Sequence, residues 1–381
     1  MKGLKIGFDG KRAVANYTGI GNYSRLALQS ILDIAPHNEL LLYTPSARSN
    51  DRLDPMLAAW PQLRLRTPDT VAGRAFGALW RSRGLTRQLR REGVDLYHGL
   101  SNELPVGIGR SGIPSVVTIH DVIFRRHPEF YHRADVSICD RKFGYAARAA
   151  TRIIAISERT RADICEFYGV DPSKIDVVYQ GCADLFHKPV SPETIRDVRA
   201  RYSLPDAYIV GVGTVESRKN QKLAVRALAS LPRDLGLVLV GRRTAYARRL
   251  DEAVSRLGLD GRVMFIENAP MADIPALYAG AVMASYPSFY EGFGLPVIEA
   301  IAAGTPVVAA TGSCLEEAGG PGALYVDPRD DEAFADAARR LLDDSSLRRH
   351  TVAMGRDHIT RFRAGNFGQG LIDVYLKTLN Q

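Results

Sequence analysis

The sequence contains no uninterrupted apolar stretch of about 18 residues, the length at which a transmembrane helix becomes a candidate. The apolar run within residues 1–9 is too short for a secretory signal, and its alternation is typical of a first β-strand. We therefore expect the protein to remain in the cytoplasm.

Cysteine is also scarce. Four cysteines lie far apart and none forms a C-x-x-C pair, which argues against a disulfide framework or a structural zinc site. No D-x-D motif occurs, and the histidines and cysteines are not grouped at ligand spacing, so we expect no metal and no cofactor. The net charge of +8 suits an anionic partner such as a nucleotide or a phospholipid surface. No nucleic-acid-binding motif accompanies this charge, so nucleic acid is not expected as a partner.

The 381 residues are 46% hydrophobic and 24% charged, which is typical of a soluble protein with two domains. Short β-branched runs alternate with longer helical stretches, a pattern that predicts βα units around parallel sheets. We predict an N-terminal domain over residues 1–188 and a C-terminal domain over 189–364. The last helix, 365–381, is expected to pack back on the first domain, and the proline-punctuated segment Phe186–Pro205 is interpreted as the linker.

The segment Tyr286–Ala300 carries the most specific pattern. A strand ends, a glycine-containing loop follows, and Pro296 suits the first turn of the next helix. Glu291 and Glu299 offer only acceptors, which suits a ligand with many hydroxyl groups. Four loop residues allow close backbone approach or offer N–H groups to an anion or a sugar hydroxyl: Gly292, Phe293, Gly294 and Leu295.

Glu291 and Glu299 resemble the E-x(7)-E signature of the family 4 retaining glycosyltransferases, and the context E-G-F-G-L-P-V-I-E-A agrees with it. The resemblance implies an α/β protein of the GT-B fold, with two Rossmann-like doubly wound domains facing each other across a cleft. It implies that Glu291 holds hydroxyls of the donor sugar and that Glu299 holds the ribose of the nucleotide. It is specific in the second half of the chain and weaker in the first half, which binds the acceptor in such enzymes.

A second pattern is the glycine-rich turn that contains Gly213 and leads to the pair Arg218 and Lys219. Two cations beside exposed amides are typical of a diphosphate site. Cations at a helix start are otherwise unfavourable against the helix dipole. The family carries the same pair, which implies that both residues bind the donor pyrophosphate and stabilise charge on the leaving phosphate.

A third pattern contains Gly19 and Gly21, after the first predicted strand. It lacks the third glycine of the dinucleotide fingerprint, and no acidic residue ends the following strand, so a tightly bound NAD is not expected. In the family, this loop approaches the donor diphosphate or sugar. The alternative is a tight turn before an amphipathic helix.

Polar residues also follow two predicted inner strands. The run Val116–Asp121 resembles the strand–His–Asp element that faces the donor sugar in the family, which implies an orienting or catalytic part for His120. A pocket for the sugar or the acceptor is predicted from His98, Asn102 and Asp121. A purely structural histidine is the alternative for both His98 and His120.

The stretch Arg64–Arg91 holds eight arginines against one acid, Asp69. If Gly73–Glu92 is a single helix, Arg83, Arg87 and Arg90 share one stripe that Phe76 and Trp80 extend. Such a stripe suits peripheral contact with an anionic membrane on its inner face. The alternative is a solvated helix face.

Together these patterns predict a retaining, metal-independent glycosyltransferase. Its resemblance to bacterial mannosyltransferases of O-antigen, capsule or exopolysaccharide assembly implies GDP-mannose as the first donor to test. The implied acceptor is a glycan or a lipid-linked glycan. Three alternatives stay open: a transferase that uses a UDP-sugar, a GT-B-type nucleotide-sugar epimerase, and a non-catalytic protein that binds a nucleotide sugar.

Overall fold

The computed structural model describes residues 3–380, which form two compact units. Unit 1 comprises residues 3–181 and 364–380, and unit 2 comprises Cys182–Arg363. The change of unit thus comes before the predicted boundary at residue 188. The reason is local: the short helix Asp184–His187 buries Phe186 within unit 2, where its ring centroid lies 6.3 Å from that of Tyr278.

Unit 1 is built on a seven-stranded parallel sheet in the order β3-β2-β1-β4-β5-β6-β7. Its strands are β1 Lys5–Asp9, β2 Glu39–Tyr43, β3 Leu63–Arg66, β4 Leu96–Gly99, β5 Ser115–Ile119, β6 Arg152–Ala155 and β7 Ile175–Val177. Its helices are α1 Lys11–Ala15, α2 Gly19–Ile34, α3 Asp54–Ala59, α4 Val71–Ala75, α5 Gly77–Leu79, α6 Leu85–Arg91, α7 Ile123–Arg126, α8 Arg133–Ala149, α9 Glu158–Tyr168 and the C-terminal helix Ala364–Leu379. This C-terminal helix packs on α2, where the rings of Phe367 and Tyr23 are 5.3 Å apart.

Unit 2 has a six-stranded parallel sheet in the order β10-β9-β8-β11-β12-β13. Its strands are β8 Ala207–Val212, β9 Leu235–Val240, β10 Val263–Ile266, β11 Met283–Tyr286, β12 Val307–Ala310 and β13 Ala323–Val326. Its helices are α10 Asp184–His187, α11 Pro192–Tyr202, α12 Gln221–Leu228, α13 Ala247–Arg256, α14 Ile274–Ala279, α15 Leu295–Ala302, α16 Leu315–Gly319, α17 Asp331–Asp343 and α18 Ser345–His358. The C-terminal helix of unit 1, described above, is α19. The prediction of two doubly wound Rossmann-like α/β domains is confirmed.

The inner strands of both sheets are buried on two faces. All six residues of β9 and all five of β5 are buried, as expected of inner parallel strands covered by helices. Strands β3 and β7 were not predicted because their apolar runs are short and carry charged side chains at an edge of the sheet. Helix α11 was also missed, because the prolines around it favoured a linker. Pro192 instead occupies the first turn of that helix.

The helix predicted over Gly73–Glu92 is confirmed as helical chain but is not one regular α-helix, because it is interrupted at Phe76 and contains a π-helical segment. The segment consists of α4, α5, a π-helical turn over Trp80–Gly84, and α6. The Trp80 ring is buried in the core of unit 1, where Nε1 donates to Oε1 of Gln88 at 3.0 Å. Trp80 therefore does not extend the basic stripe, whereas Phe76 is 65% exposed. None of the helices within residues 3–380 has the length and hydropathy needed to cross a membrane.

Candidate functional site

Each sheet has one place where the order of strands reverses direction. In unit 1 it lies between β1 and β4, and in unit 2 between β8 and β11. In open α/β sheets, ligands bind beyond the carboxyl ends of the strands at this switch point. In unit 2, the loop after β8 carries Arg218 and Lys219, and the loop after β11 carries Glu291.

The two loops of unit 2 are joined by hydrogen bonds next to these residues. The backbone N–H of Phe289 donates to the carbonyl of Arg218 at 2.9 Å. Asn220 has the left-handed φ of 53° that asparagine tolerates, and its Nδ2 donates to the carbonyls of Pro287 at 3.0 Å and Pro328 at 2.7 Å. Asn220 thereby ends the short turn Ser217–Lys219 and aligns it with the glutamate loop.

Glu291 forms ion pairs with both predicted cations. Its Oε2 lies 2.8 Å from Nη1 of Arg218, and its Oε1 lies 2.6 Å from Nζ of Lys219. The carboxylate is only 7% exposed. Burial acts to raise the pKa of Glu291, but Arg218 and Lys219 outweigh it and lower that pKa to about 2. Glu291 is therefore an anion at every physiological pH, and it cannot serve as a general acid.

The two cations have further partners that fix their orientation. Nη1 of Arg218 donates to the carbonyl of Tyr290 at 2.8 Å, and Nη2 contacts Glu216 at 2.7 Å. Nζ of Lys219 donates to the hydroxyl of Tyr286 at 2.6 Å. Both side chains are thus held rigidly at the carboxyl edge of the sheet, which is the preorganisation that binding a developing negative charge requires.

The predicted glycine loop turns sharply into α15. Gly294 caps this helix with a φ of 113°, which strains any residue with a Cβ, and an added Cβ would lie 2.7 Å from Cδ2 of Leu315. Leu295 and Pro296 then open α15 as predicted. Cys314 supports the loop, because its Sγ lies 3.1 Å from the carbonyl oxygen of Glu291 and 2.9 Å from that of Phe293, so its one S–H is shared between them. Gly292 is buried in the same loop, and Gly213 has a φ of 145° at the end of β8.

Glu299 lies within α15, and its surroundings differ from those of Glu291. Burial raises the pKa of Glu299 to about 7, although the hydroxyl of Tyr278 beside it acts in the opposite direction. The described residues provide Glu299 with no ion pair. The structure thus brings together Glu291, Arg218 and Lys219, and it gives the second glutamate a separate, weakly polar environment.

In unit 1, His98 is fully buried at the end of β4. Its Nδ1 lies 2.7 Å from the hydroxyl of Tyr375, and its Nε2 lies 2.8 Å from Oγ1 of Thr118. Burial lowers its pKa to about 3, and the nearby His120 adds to this effect. Both ring nitrogens are occupied by hydroxyl groups within unit 1, an arrangement that favours the structural role given as the alternative.

His120 follows β5, is 5% exposed, and also uses both ring nitrogens. Nε2 donates to the carbonyl of Leu100 at 2.8 Å, so Nδ1 is the unprotonated nitrogen, and it lies 3.3 Å from Nε2 of Gln180. Burial lowers the pKa of His120 to about 4, which keeps the ring neutral at pH 7. The backbone N–H of His120 donates to Oδ1 of Asn102 at 2.7 Å. This geometry holds the ring in one orientation, with Nδ1 as its accepting nitrogen.

The other predicted residues of unit 1 lie at the same carboxyl edge. Asn102 has a φ of 65° and joins the loops after β4 and β5, and Oδ1 of Asp121 accepts the N–H of Ile123 at 3.2 Å. Gly19 opens α2 with free space around it, whereas a Cβ on Gly21 would lie 1.9 Å from the carbonyl oxygen of Asn16. The Gly19–Gly21 loop therefore has a clear local function as the turn into α2.

Sequence reasoning missed several members of these clusters. Asn220, Tyr286 and Cys314 carry no recognisable motif, and only folding brings Cys314 to the glutamate loop. In unit 1 it missed Asp9 and Arg81, which form a buried ion pair at 2.6 Å. The position of Asp9 at the end of β1 was the one available signal. Within residues 3–380, no group of three or more histidine, cysteine, aspartate or glutamate side chains is arranged to hold a metal ion.

Comparisons with known proteins agree with this architecture. A family model described as "Glycosyl transferases group 1" matches residues 196–358, and one described as "Glycosyltransferase Family 4" matches residues 38–183. The chain is 29% identical to O-antigen chain mannosyltransferase B of Escherichia coli, over 98% of this chain and 99% of that protein. It is 30% identical to the D-inositol 3-phosphate glycosyltransferase of Acidothermus cellulolyticus, over 75% of this chain and 67% of that protein. Anabaena HepE in complex with UDP-glucose has the same fold, with a TM-score of 0.77 at 20% identity over 98% of this chain and all of that one.

Proposed function

Because this chain belongs to the family 4 glycosyltransferases of the GT-B fold, we propose that it transfers mannose from GDP-mannose with retention of the anomeric configuration. The acceptor is a glycan or a lipid-linked glycan of bacterial surface polysaccharide synthesis. The choice of sugar and pathway is supported by the end-to-end similarity to an O-antigen mannosyltransferase.

The observation that carries the proposal is the contact of Glu291 with Arg218 and Lys219 at the switch point of unit 2. Transfer from a nucleoside diphosphate sugar leaves negative charge on the departing phosphate. Arg218 and Lys219 neutralise this charge, and Glu291 accepts hydrogen bonds from the sugar hydroxyls. In the retaining reaction, the acceptor hydroxyl attacks on the same face from which the phosphate leaves, and a phosphate oxygen takes its proton.

We propose that the donor diphosphate is neutralised by protein side chains and that the enzyme needs neither a metal ion nor a cofactor. Two cations already converge on one position, and the N-terminus of α15 adds backbone N–H groups beside them. A divalent ion bound to the diphosphate would compete for the oxygens that these groups reach.

A second donor is favoured by one specific observation. HepE, which shares the fold at a TM-score of 0.77, was solved with UDP-glucose. A UDP-sugar is therefore the alternative donor. The two donors differ in their nucleobase, so recognition of the nucleobase selects between them, whereas the diphosphate site binds either donor.

We also propose peripheral contact between unit 1 and the inner face of the membrane. Four arginines of the basic stretch have partners within the unit, since Arg64 pairs with Glu39, Arg66 with Glu92, Arg81 with Asp9 and Arg91 with Asp69. Arg83, Arg87 and Arg90 stay exposed. Three apolar side chains of the same helical segment are more than half exposed: Val71, Phe76 and Leu79. Cations next to exposed apolar groups are what an anionic bilayer attracts.

The proposal is tested in two steps. A thermal-shift screen of GDP, UDP, ADP and their sugars identifies the donor, because a bound ligand raises Tm. Incubation of the preferred donor with polysaccharide intermediates then reveals any new glycosidic bond, whose α-configuration is read by NMR. We expect GDP-mannose to give the largest shift and an α-mannoside to form. Binding without transfer would favour the non-catalytic alternative, and a rearranged sugar without an acceptor would favour the epimerase.

A further inference from the structure

A groove in unit 2 lies at the edge of the sheet opposite to the candidate donor site. It has a volume of about 400 Å³, which is within the range of small-molecule pockets. One wall is the chain before β11 and β12, where Val282, Gly304 and Pro306 line the groove, and the other wall is α18. The candidate donor site lies beyond the carboxyl ends of the strands, so the groove is not part of it.

The residues of α18 that line the groove share one face of that helix. They are Arg348, Arg349, Val352, Ala353 and Arg356. Residues that are three, four or seven positions apart lie on the same side of an α-helix. Arg349 and Arg356 are two turns apart, or about 10 Å along the axis, and the short side chains of Val352 and Ala353 lie between them. The three arginines therefore face the same groove.

Contacts place the guanidinium groups of two of these arginines. Nη1 of Arg348 donates to the carbonyl of Leu342 at 2.7 Å and also to that of Leu341, so this side chain caps the end of α17. Nη2 of Arg356 lies over Gly304, because a Cβ on this glycine, whose φ is 90°, would be only 2.8 Å from that nitrogen. Arg356 thus reaches across the groove from α18 to the opposite wall.

The positive charge of this groove is not balanced by acidic side chains. Within residues 3–380, none of the three arginines forms an ion pair. Arg349 and Arg356 are exposed, and Nη1 of Arg349 donates to the uncharged Oγ of Ser345 at 3.2 Å. Cations that line one groove repel one another, and an anion bound between them removes that repulsion.

We infer that the groove binds a small molecule that carries a phosphate group, and that Arg349 and Arg356 contact the phosphate oxygens. A guanidinium group matches phosphate geometry bidentately. A phosphate group carries about 1.5 to 2 negative charges at pH 7, so it balances these arginines better than a single carboxylate does. Arg348 is a positioning residue, because its guanidinium already binds the end of α17. The inference goes beyond the proposed function and does not depend on it.

A phospholipid headgroup offers the same phosphate chemistry as a soluble compound does. The apolar residues of the groove are small, and Pro306 among them is buried, so the groove provides no large apolar side chain for insertion into a bilayer. The soluble phosphate compound is therefore the ligand that the groove favours.

The first test is a calorimetric titration with inorganic pyrophosphate. The full chain carries Arg218→Ala and Lys219→Ala, which removes the proposed diphosphate contacts of the donor site. We expect this protein to bind pyrophosphate, and we expect the further changes Arg349→Ala and Arg356→Ala to weaken binding at least about tenfold, the scale of losing charge-assisted hydrogen bonds. Lysine at both positions should give tighter binding than alanine, because the charge is kept.

The matched control uses Arg233 and Arg340, two exposed arginines of unit 2 that do not line the groove. Replacing both by alanine in the same background removes the same charge and should leave pyrophosphate binding unchanged. A second measurement locates the ligand in the wild type. Pyrophosphate should slow the modification of Arg349 and Arg356 by phenylglyoxal, read by mass spectrometry of peptides, and should not slow that of the two control arginines.

Three results would overturn the inference: no pyrophosphate binding by the background protein, equal binding after the two alanine changes in α18, or unchanged modification rates of Arg349 and Arg356. Co-sedimentation with vesicles of phosphatidylcholine and phosphatidylglycerol identifies the source of the phosphate. We expect the wild type and the variant Arg349→Ala, Arg356→Ala to sediment equally. A selective loss of vesicle binding in this variant would reassign the groove to a lipid headgroup and would also overturn the inference.

Discussion

The carboxylate of Glu291 lies 2.6 Å from the ammonium of Lys219, and the same carboxylate holds the guanidinium of Arg218 at 2.8 Å. A buried carboxylate without partners would be costly, and the two cations compensate for that cost. The arrangement also means that the cations are already oriented before a diphosphate arrives. Glu291 serves as their counterion in this structure, and in the proposed function the donor diphosphate brings a second anion to the same pair.

We predict that Glu291→Ala lowers kcat/KM for sugar transfer on the order of 100-fold or more, because a preorganised polar contact to the sugar is lost. Affinity for the free nucleoside diphosphate should fall much less than kcat/KM does, or should increase. The reason is that Arg218 and Lys219 lose an anion that competes with the diphosphate. Steady-state kinetics and calorimetry of the same protein separate the two effects. The control is Glu332→Gln in the first turn of α17, and wild-type kcat/KM in Glu291→Ala would refute the assignment.

We predict that the double variant Arg218→Ala, Lys219→Ala loses transfer and nucleoside diphosphate binding together, because both the ground state and the leaving phosphate lose their counterions. Wild-type activity should persist in excess EDTA, since these side chains take the place of a metal ion. The matched control is Arg233→Ala, an exposed arginine of the same unit. Loss of wild-type activity in EDTA, restored by Mg²⁺ or Mn²⁺, would contradict the metal-independent mechanism.

We predict that affinity for the nucleoside diphosphate increases more steeply with pH in the wild type than in Glu299→Gln, in which only the ionisation of the ligand's terminal phosphate contributes. Burial raises the pKa of Glu299 to about 7, so the carboxylate that we propose accepts from the ribose forms only as pH rises through that value. The same shift has a defined sign for stability. The folded protein binds this proton more tightly than the unfolded chain does, so the contribution of Glu299 to stability decreases between about pH 4.5 and 7. Calorimetric titrations from pH 5.5 to 8.5 provide the measurement, and equal profiles for both proteins would exclude the ribose role.

We predict salt-sensitive binding to vesicles that contain anionic lipid. Each exposed arginine near such a surface contributes about 1 kcal/mol, so Arg83, Arg87 and Arg90 together give roughly millimolar attraction. Insertion of Phe76 and Leu79, both more than half exposed, should strengthen it. Co-sedimentation should weaken at high salt and drop when the three arginines become glutamate or when Phe76 and Leu79 become serine. If the wild type stays in the supernatant at low salt, the prediction is refuted and these residues form an ordinary solvated surface.

The elements that carry the candidate donor site could be predicted because their signals are local. A strand, a glycine turn, Pro296 and two glutamates at a defined spacing lie within one stretch of chain, as do Arg218 and Lys219 after β8. The basic stripe predicted on the helix over Gly73–Glu92 was only partly right for the opposite reason. Periodicity cannot show that the Trp80 ring enters the core and hydrogen-bonds to Gln88, nor that the helix is π-helical from Trp80 to Gly84.

For His98 and His120, the position in the fold could be predicted from the sequence, but the hydrogen-bond partners could not. The position of His98 near the end of β4 and of His120 directly after β5 follows from the sequence, and so does the expectation that both lie at the carboxyl edge of the sheet. Whether a ring nitrogen is available depends on Tyr375 and Thr118 for His98, and on Leu100 and Gln180 for His120. These partners lie on other elements, so no local pattern reveals them.

The sequence by itself determined the family, the two doubly wound α/β domains and the residues of the glutamate loop, because hydrophobic period, glycine and proline positions and motif spacing are properties of neighbouring residues. Tertiary structure alone decided which charges meet. Glu291 became the counterion of Arg218 and Lys219, and Asp9 became the partner of Arg81. Charge pairing depends on distances of a few ångströms between side chains on different strands, and the order of strands in the sheet sets those distances.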